Sequence, residues 1–220
     1  MTGELKKKAL ASLKGKWGFA VLSTFLYMII SVVGTYIVLG ITVFLASLSQ
    51  NTDAAGFVAG LWNIVYIIVD LFITGILVFG IYYIYLQLAQ GKESKVSDLF
   101  RYFAGWKRMW QAFLTLFLLS LYTSLWSLLL IVPGIIKSFS YALTYFILID
   151  HPEYSVNQAI TESRHMMNGH KWELFVLFLS FIGWILLCII TFGLAELWIT
   201  PYSSIAFAHF YEKRKAAYAG

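Results

Sequence analysis

Few residues in this chain have the type and spacing to do chemistry. Asp70 stands about a dozen residues into a long apolar run, where an ionisable group is costly, about 2.5–3.5 kcal/mol on insertion scales. That cost makes Asp70 a candidate functional group, unless the run extends past the apolar phase and leaves it near an outer surface. Lys137 is the one basic residue outside the basic clusters described below. It is a candidate partner for Asp70, or a lysine that snorkels from the end of a span. Arg164 can hold a lipid phosphate through a bidentate contact, or simply face headgroups as a surface charge. Glu196, beside Gly193, reads as an outer-loop charge and a fourth candidate contact. Glu162 and His165 have the three-residue spacing of half a two-metal carboxylate site, but the other half is missing. His165 and His170 are five apart and do not share a helical face. His209, near the inner end of the last apolar run, reads as an interfacial or hydrogen-bonded histidine.

Catalytic motifs are absent from the sequence. There is no HExxH zinc motif, no GxSxG elbow and no GxxxxGK[ST] phosphate loop. Serines and threonines are plentiful, yet no His–carboxylate pair is spaced to activate one. No metal, cofactor or catalytic residue is therefore assigned, and the expectation is a protein that is not an enzyme.

The elements that must position these residues are apolar helices. Of 220 residues, 60% are hydrophobic and 12% charged, against about 25% charged in a soluble domain. Between Lys16 and Asp53 there is no charged residue and no histidine, and similar gaps recur to the C-terminal end. A bilayer core of about 30 Å needs about 20 apolar residues as helix. The expected fold is all-α: a polytopic membrane protein with six transmembrane helices near 17–47, 57–89, 111–132, 135–149, 174–192 and 197–211. The apolar runs do not alternate, which disfavours a β-barrel. The lysine-rich start reads as the flank of an uncleaved first span, since signal h-regions are only about 7–15 residues long. Cys188 lies alone in an apolar run, so no internal disulfide can form.

Fifteen of the sixteen basic residues fall in four clusters, at 6–16, 92–108, 164–171 and 213–215. With both termini inside, all four clusters lie on the cytoplasmic side, as the positive-inside rule requires. The expected location is the cell membrane, with several passes. The pI near 9.2 does not indicate nucleic acid, because the bases flank apolar runs instead of forming one basic face. Anionic headgroups at the cytoplasmic face are the expected partners.

A threefold pattern runs through the single domain, with pseudo-repeats near 4–89, 97–149 and 155–211. Each apolar pair follows a short amphipathic segment, a glycine, a base and a tryptophan: Leu13-Lys14-Gly15-Lys16-Trp17, Gly105-Trp106-Lys107, and Asn168-Gly169-His170-Lys171-Trp172. In the second segment Leu99, Phe103, Trp106 and Trp110 have the spacing of one helical stripe. In the third, Val156, Ile160, Ser163 and Met167 share a face, and Ser155 with Gln158 forms a capping-box signature. Such helices are expected to lie in the cytoplasmic interface with their apolar sides toward lipid. Gly15, Gly105 and Gly169 are expected to turn the chain from each of them into the following span. The last two return spans are short, and Pro133 and Pro201 mark their outer turns or first helical turns.

The segment Ala159-Ile160-x-x-Ser163-Arg164-x-Met166-Met167-x-Gly169-His170-Lys171 and the run from Leu179 to Tyr202 resemble a multi-span membrane family of Gram-positive bacteria, domain of unknown function 975. The resemblance covers nearly the whole chain. It implies a layout similar to the membrane portion of glycerophosphodiester phosphodiesterases and carries over no site residue. The favoured functional expectation is a non-enzymatic protein that binds or moves a lipid-like or amphipathic substrate. The alternative is an accessory or immunity-type subunit that packs against another membrane protein or a second copy of itself.

Overall fold

The computed structural model describes residues 2–48 and 52–218, and among these residues the regular structure is all helix. The helices are α1 (Thr2–Leu13), α2 (Trp17–Leu48) and α3 (Thr52–Ala89), a 3₁₀ helix (Val96–Phe103), then α4 (Trp106–Leu129), α5 (Ile131–Tyr141) and α6 (Thr144–Asp150). The last four are α7 (Val156–Met166), α8 (Lys171–Leu179), α9 (Ile182–Ile190) and α10 (Glu196–Tyr218). Five stretches are long and apolar enough to cross a membrane: Trp17–Phe44, Gly56–Ala89, Trp106–Leu128, Ile131–Asp150 and Lys171–Ile190. Six were expected. The helix α10 is not among the five, because Glu196 and Glu212 leave only residues 197–211 uninterrupted by an acid or a base.

The two last-named spans are not single helices. The first breaks at Ala142–Leu143 into α5 and α6, and the second at Ser180–Phe181 into α8 and α9. Pro133 sits in the first turn of α5, where no intrahelical N–H is needed. Pro201 lies deeper than the expected first turn, inside α10, and is buried.

The three short segments before the spans are helical, but their apolar faces do not look outward. Leu5, Ala9 and Leu13 of α1 are buried, and α1 packs on α10. In α7, Val156, Ala159, Ile160, Ser163 and Met166 are buried against α5 and α6. These stripes therefore cover the chain's own core, not lipid as expected. The Ser155–Gln158 capping box forms as the sequence indicates: Ser155 N donates to Gln158 Oε1 at 2.7 Å and Gln158 N to Ser155 Oγ at 3.2 Å.

The segment at 96–103 departs further from expectation. It winds as a 3₁₀ helix, in which positions three apart eclipse. Leu99 and Tyr102 consequently share the buried face. Phe103, Trp106 and Trp110, expected on the Leu99 stripe, are exposed. Asp98 anchors the first turn by accepting from Lys95 N at 2.8 Å and Ser94 Oγ at 3.0 Å.

The core sits where these short helices meet the C-terminal half of α3. Ile76, Leu77, Phe79, Ile84, Tyr85, Leu86 and Leu88 are all but fully buried there. Gly80 lets the 3₁₀ helix approach, since a Cβ at that position would overlap the Leu99 carbonyl. Gly15 (φ 76°) and Gly169 (φ 77°) take the left-handed turn anticipated for them. Gly105 has φ 108° and ψ 128° instead, outside the left-handed helical region, at the start of α4. By contrast, Val32, Val33, Ile37 and Leu39 of α2 and Phe57, Leu61, Ile64 and Val65 of α3 form an exposed apolar pair of helices.

Overpacking costs about 1–3 kcal/mol, so Gly80→Ala is expected to lower the thermal unfolding midpoint in mild detergent. Gly34→Ala, whose Cβ meets open space on α2, is expected to be neutral or slightly stabilising.

Candidate functional site

The break between α5 and α6 leaves backbone groups without helical partners, and α7 supplies one. Ser163 is fully buried; its Oγ donates to the Ser140 carbonyl at 2.8 Å and accepts from Leu143 N at 3.2 Å. This docking draws α7 alongside α4, where Gln111 Nε2 donates to the Tyr154 carbonyl at 2.9 Å. A small apolar core forms between them, from Tyr141, Val156 and Ile160 against Leu114, Leu118 and Tyr122.

Two cavities flank the α5–α6 arm. The larger has a volume of about 780 Å³ and is walled by α4, the α5–α6 break and α8. Leu116, Leu119, Leu143, Phe146, Leu174 and Phe175 make it predominantly apolar. Ser120, Ser124, Ile135, Ser138 and Phe178 are exposed at its rim, so it is an open groove. Its inner wall is an aromatic array. Tyr82 and Tyr145 rings lie 5.1 Å apart, Tyr145 meets Phe79 edge-on at 5.2 Å, and Phe146 stacks on Tyr211 at 5.4 Å. The smaller cavity, about 390 Å³, is lined by Tyr122, Trp126, Lys137, Tyr141, Asn157, Ile160, Thr161 and Arg164. Tyr141 lines both.

Lys137 and Arg164, marked separately in the sequence, thus line one cavity. Lys137 Nζ stands 4.4 Å from the Trp126 ring centroid, a cation–π distance. It also lies within electrostatic range of the positive charges of Arg164 and Lys171. Asp70 is elsewhere. It is half-buried at the middle of α3, within electrostatic range of the Tyr27 hydroxyl, as is Glu196 in the exposed first turn of α10. The expected Asp70–Lys137 pair does not form among the described residues, because Lys137 is drawn toward α4 and α7.

Sequence reasoning missed Ser163 as a bridging group and the neutral lining of the smaller cavity, Asn157, Thr161, Tyr122 and Tyr141. It also missed Lys6. The Lys6 ammonium donates to the Ser180 carbonyl at 2.5 Å, at the break between α8 and α9, and lies 4.3 Å from the Phe181 ring centroid. Burial pulls its pKa below the usual 10.5. A cation on the last carbonyls of a helix complements the dipole. His209 is hydrogen-bonded, Nε2 lying 2.9 Å from Ser12 Oγ. No local signal distinguished these residues from other serines and lysines.

The α6 end is clamped to α10. Asp150 Oδ2 accepts from Tyr211 OH at 2.8 Å and from Lys215 Nζ at 2.6 Å. That hydrogen bond holds the Lys215 pKa above the usual 10.5.

The chain belongs to the family described as protein of unknown function (DUF975), which matches residues 1–143 and 128–217. No curated protein and no solved structure matches it.

A lysine whose folded pKa is raised stabilises the fold fully below its unfolded value and loses that contribution as pH rises through the folded one. Lys215→Met is therefore expected to lower stability at pH 8, by at most about 1 kcal/mol for so exposed a pair. The gap to wild type should close as pH is raised beyond 10.5. Melting curves in mild detergent across that range check it.

Proposed function

We propose that this chain is a non-enzymatic integral membrane protein of the cell membrane that binds or moves a lipid-like or amphipathic substrate. The observation that carries the reading is the open groove between α4, the α5–α6 break and α8, apolar inside and edged by the hydroxyls of Ser120, Ser124 and Ser138. Ligand sites are commonly concave and apolar, with a few polar groups that fix orientation.

In this reading the helices form three hairpins, α2–α3, α4 with α5–α6, and α8–α9 with α10. All three enter the bilayer from the cytoplasmic side, leaving both termini cytoplasmic. Two features support that layout. The basic clusters stand at the bases of the hairpins, and the tips carry exposed apolar side chains, including Phe44, Phe57, Leu128, Ile131, Ile190 and Phe192. At 1.5 Å per residue the 38 residues of α3 reach about 57 Å. The first hairpin is therefore longer than the bilayer core, whereas the broken arms of the other two, 20 residues each, only match it, and there the hairpins thin the bilayer. The short helices α1, α7 and the 3₁₀ helix lie at the cytoplasmic boundary, capping the bundle.

Native mass spectrometry of the protein released from mild detergent is expected to show retained lipid. Ser120→Trp, which fills the groove from its exposed rim, should reduce the retained lipid severalfold without unfolding the protein. Wild type without lipid, or a variant that keeps it, would overturn the reading. Copurification of another membrane protein at fixed ratio, with no lipid in the groove, would favour an accessory subunit instead.

A further inference from the structure

We infer that the occupant of the apolar groove is an uncharged glycerolipid, diacylglycerol, with its glycerol end on the hydroxyls of Ser120, Thr123 and Ser124 and its acyl chains along the apolar wall. The inference rests on the amphiphile reading above and adds the head of the lipid.

The groove is lined by hydrocarbon and hydroxyls, with no charged side chain among its lining residues. Lys137 and Arg164 line the smaller cavity instead. The hydroxyls at the edge of the groove are also free. Serines and threonines inside helices commonly bond back to a carbonyl one turn earlier. On α4, Thr115 does so to Gln111 at 2.7 Å and Ser127 to Thr123 at 2.8 Å. Between those two, the hydroxyls of Ser120, Thr123 and Ser124 make no hydrogen bond among the described residues. The hydroxyls of Tyr82 and Tyr145, on the inner wall, likewise have no partner among the described residues. A hydroxyl without a partner in an apolar setting is destabilising, and a ligand that brings oxygen atoms to it removes that cost.

The depth of these hydroxyls selects the head. Ser120 lies 14 residues, about 21 Å, after Trp106 at the start of α4, and nine residues, about 14 Å, before Leu129 at its end. A phosphate or an ammonium drawn there would leave the aqueous boundary and find no counter-charge in the groove, which is costly. An uncharged glycerol end carries no such penalty. It offers one free hydroxyl and two ester carbonyls. Ser120, Thr123 and Ser124 share one helical face, and each can donate to a carbonyl or accept from a hydroxyl. The apolar wall beside them, with Leu116, Leu119, Phe139 and Phe175, suits acyl chains. Entry requires no passage through water. Ser120, Ser124 and Ser138 are exposed, so the groove opens sideways onto the surface that lipid covers in this reading.

The test is thermal stabilisation of the full chain in mild detergent, titrated in mixed micelles with dioleoylglycerol, dioleoyl phosphatidylglycerol, dioleoyl phosphatidylcholine or oleyl alcohol. The expected result is half-maximal stabilisation by dioleoylglycerol at about a tenfold lower concentration than by any of the others. Ser120→Ala with Ser124→Ala removes two exposed hydroxyls and keeps the apolar wall. It should abolish the preference while leaving stabilisation by the phospholipids. Ser127→Ala, whose hydroxyl is engaged within α4, should keep the preference. The wild-type comparison of the four compounds stands alone if the double variant does not fold. Equal effects of dioleoylglycerol and the two phospholipids on wild type would overturn the uncharged head and leave the amphiphile reading intact. Oleyl alcohol matching dioleoylglycerol would overturn the glycerolipid. A preference that survives in the double variant would overturn the assignment to these hydroxyls. Stabilisation by none of the four would overturn both readings.

Discussion

The Ser163 hydroxyl spans the gap between α5 and α6, donating to the Ser140 carbonyl and accepting from the Leu143 amide. An unsatisfied backbone group in an apolar setting costs several kcal/mol, so an interrupted helix needs partners inside the chain. Because Ser163 is the partner here, α7 must lie against the break. That single docking determines what surrounds the arm. It carries Asn157, Thr161 and Arg164 to the side on which Lys137 projects, and it leaves the opposite side open to α4 and α8. The break itself also widens the groove, which Ala142 and Leu143 line.

The other short helices meet related constraints. Lys6 reaches from α1 to the Ser180 carbonyl at the second interrupted arm, beside the face that Leu5, Ala9 and Leu13 bury. The 3₁₀ helix lies on α3 at Gly80, where the missing side chain leaves room for the Leu99 carbonyl. Arg101 extends that contact, donating to the Tyr83 hydroxyl at 2.9 Å with its guanidinium 4.4 Å from the ring centroid. Around these contacts the protein is compact. Beyond them, the C-terminal part of α2 and the N-terminal part of α3 carry exposed apolar side chains.

What the sequence made legible was local. The Ser155–Gln158 box and the left-handed turns at Gly15 and Gly169 depend on neighbours within a few residues, and both form. Charge-free runs revealed the apolar helices for the same reason. The stripe through Leu99, Phe103, Trp106 and Trp110 misled because it assumed a 3.6-residue period where the backbone winds with a period of three. The direction of the amphipathic faces was unreadable, since a stripe that fits lipid also fits a protein groove. Lys137 stood out as an isolated base, but its neighbours come from α4, α7 and α8, and only tertiary docking brings them together. Asp70 stood out equally, and the group within its electrostatic range is the Tyr27 hydroxyl of α2.

The smaller cavity exists only while α7, which supplies Asn157, Thr161 and Arg164, is held at the break. Amide hydrogen exchange of the 140–146 segment, in wild type and Ser163→Ala in the same membrane mimetic, measures that directly. The account predicts a slowly exchanging Leu143 amide in wild type and exchange at least tenfold faster in the variant, with the remainder of α6 little changed. A Leu143 amide that exchanges rapidly in wild type, or at the same rate in both proteins, would contradict it.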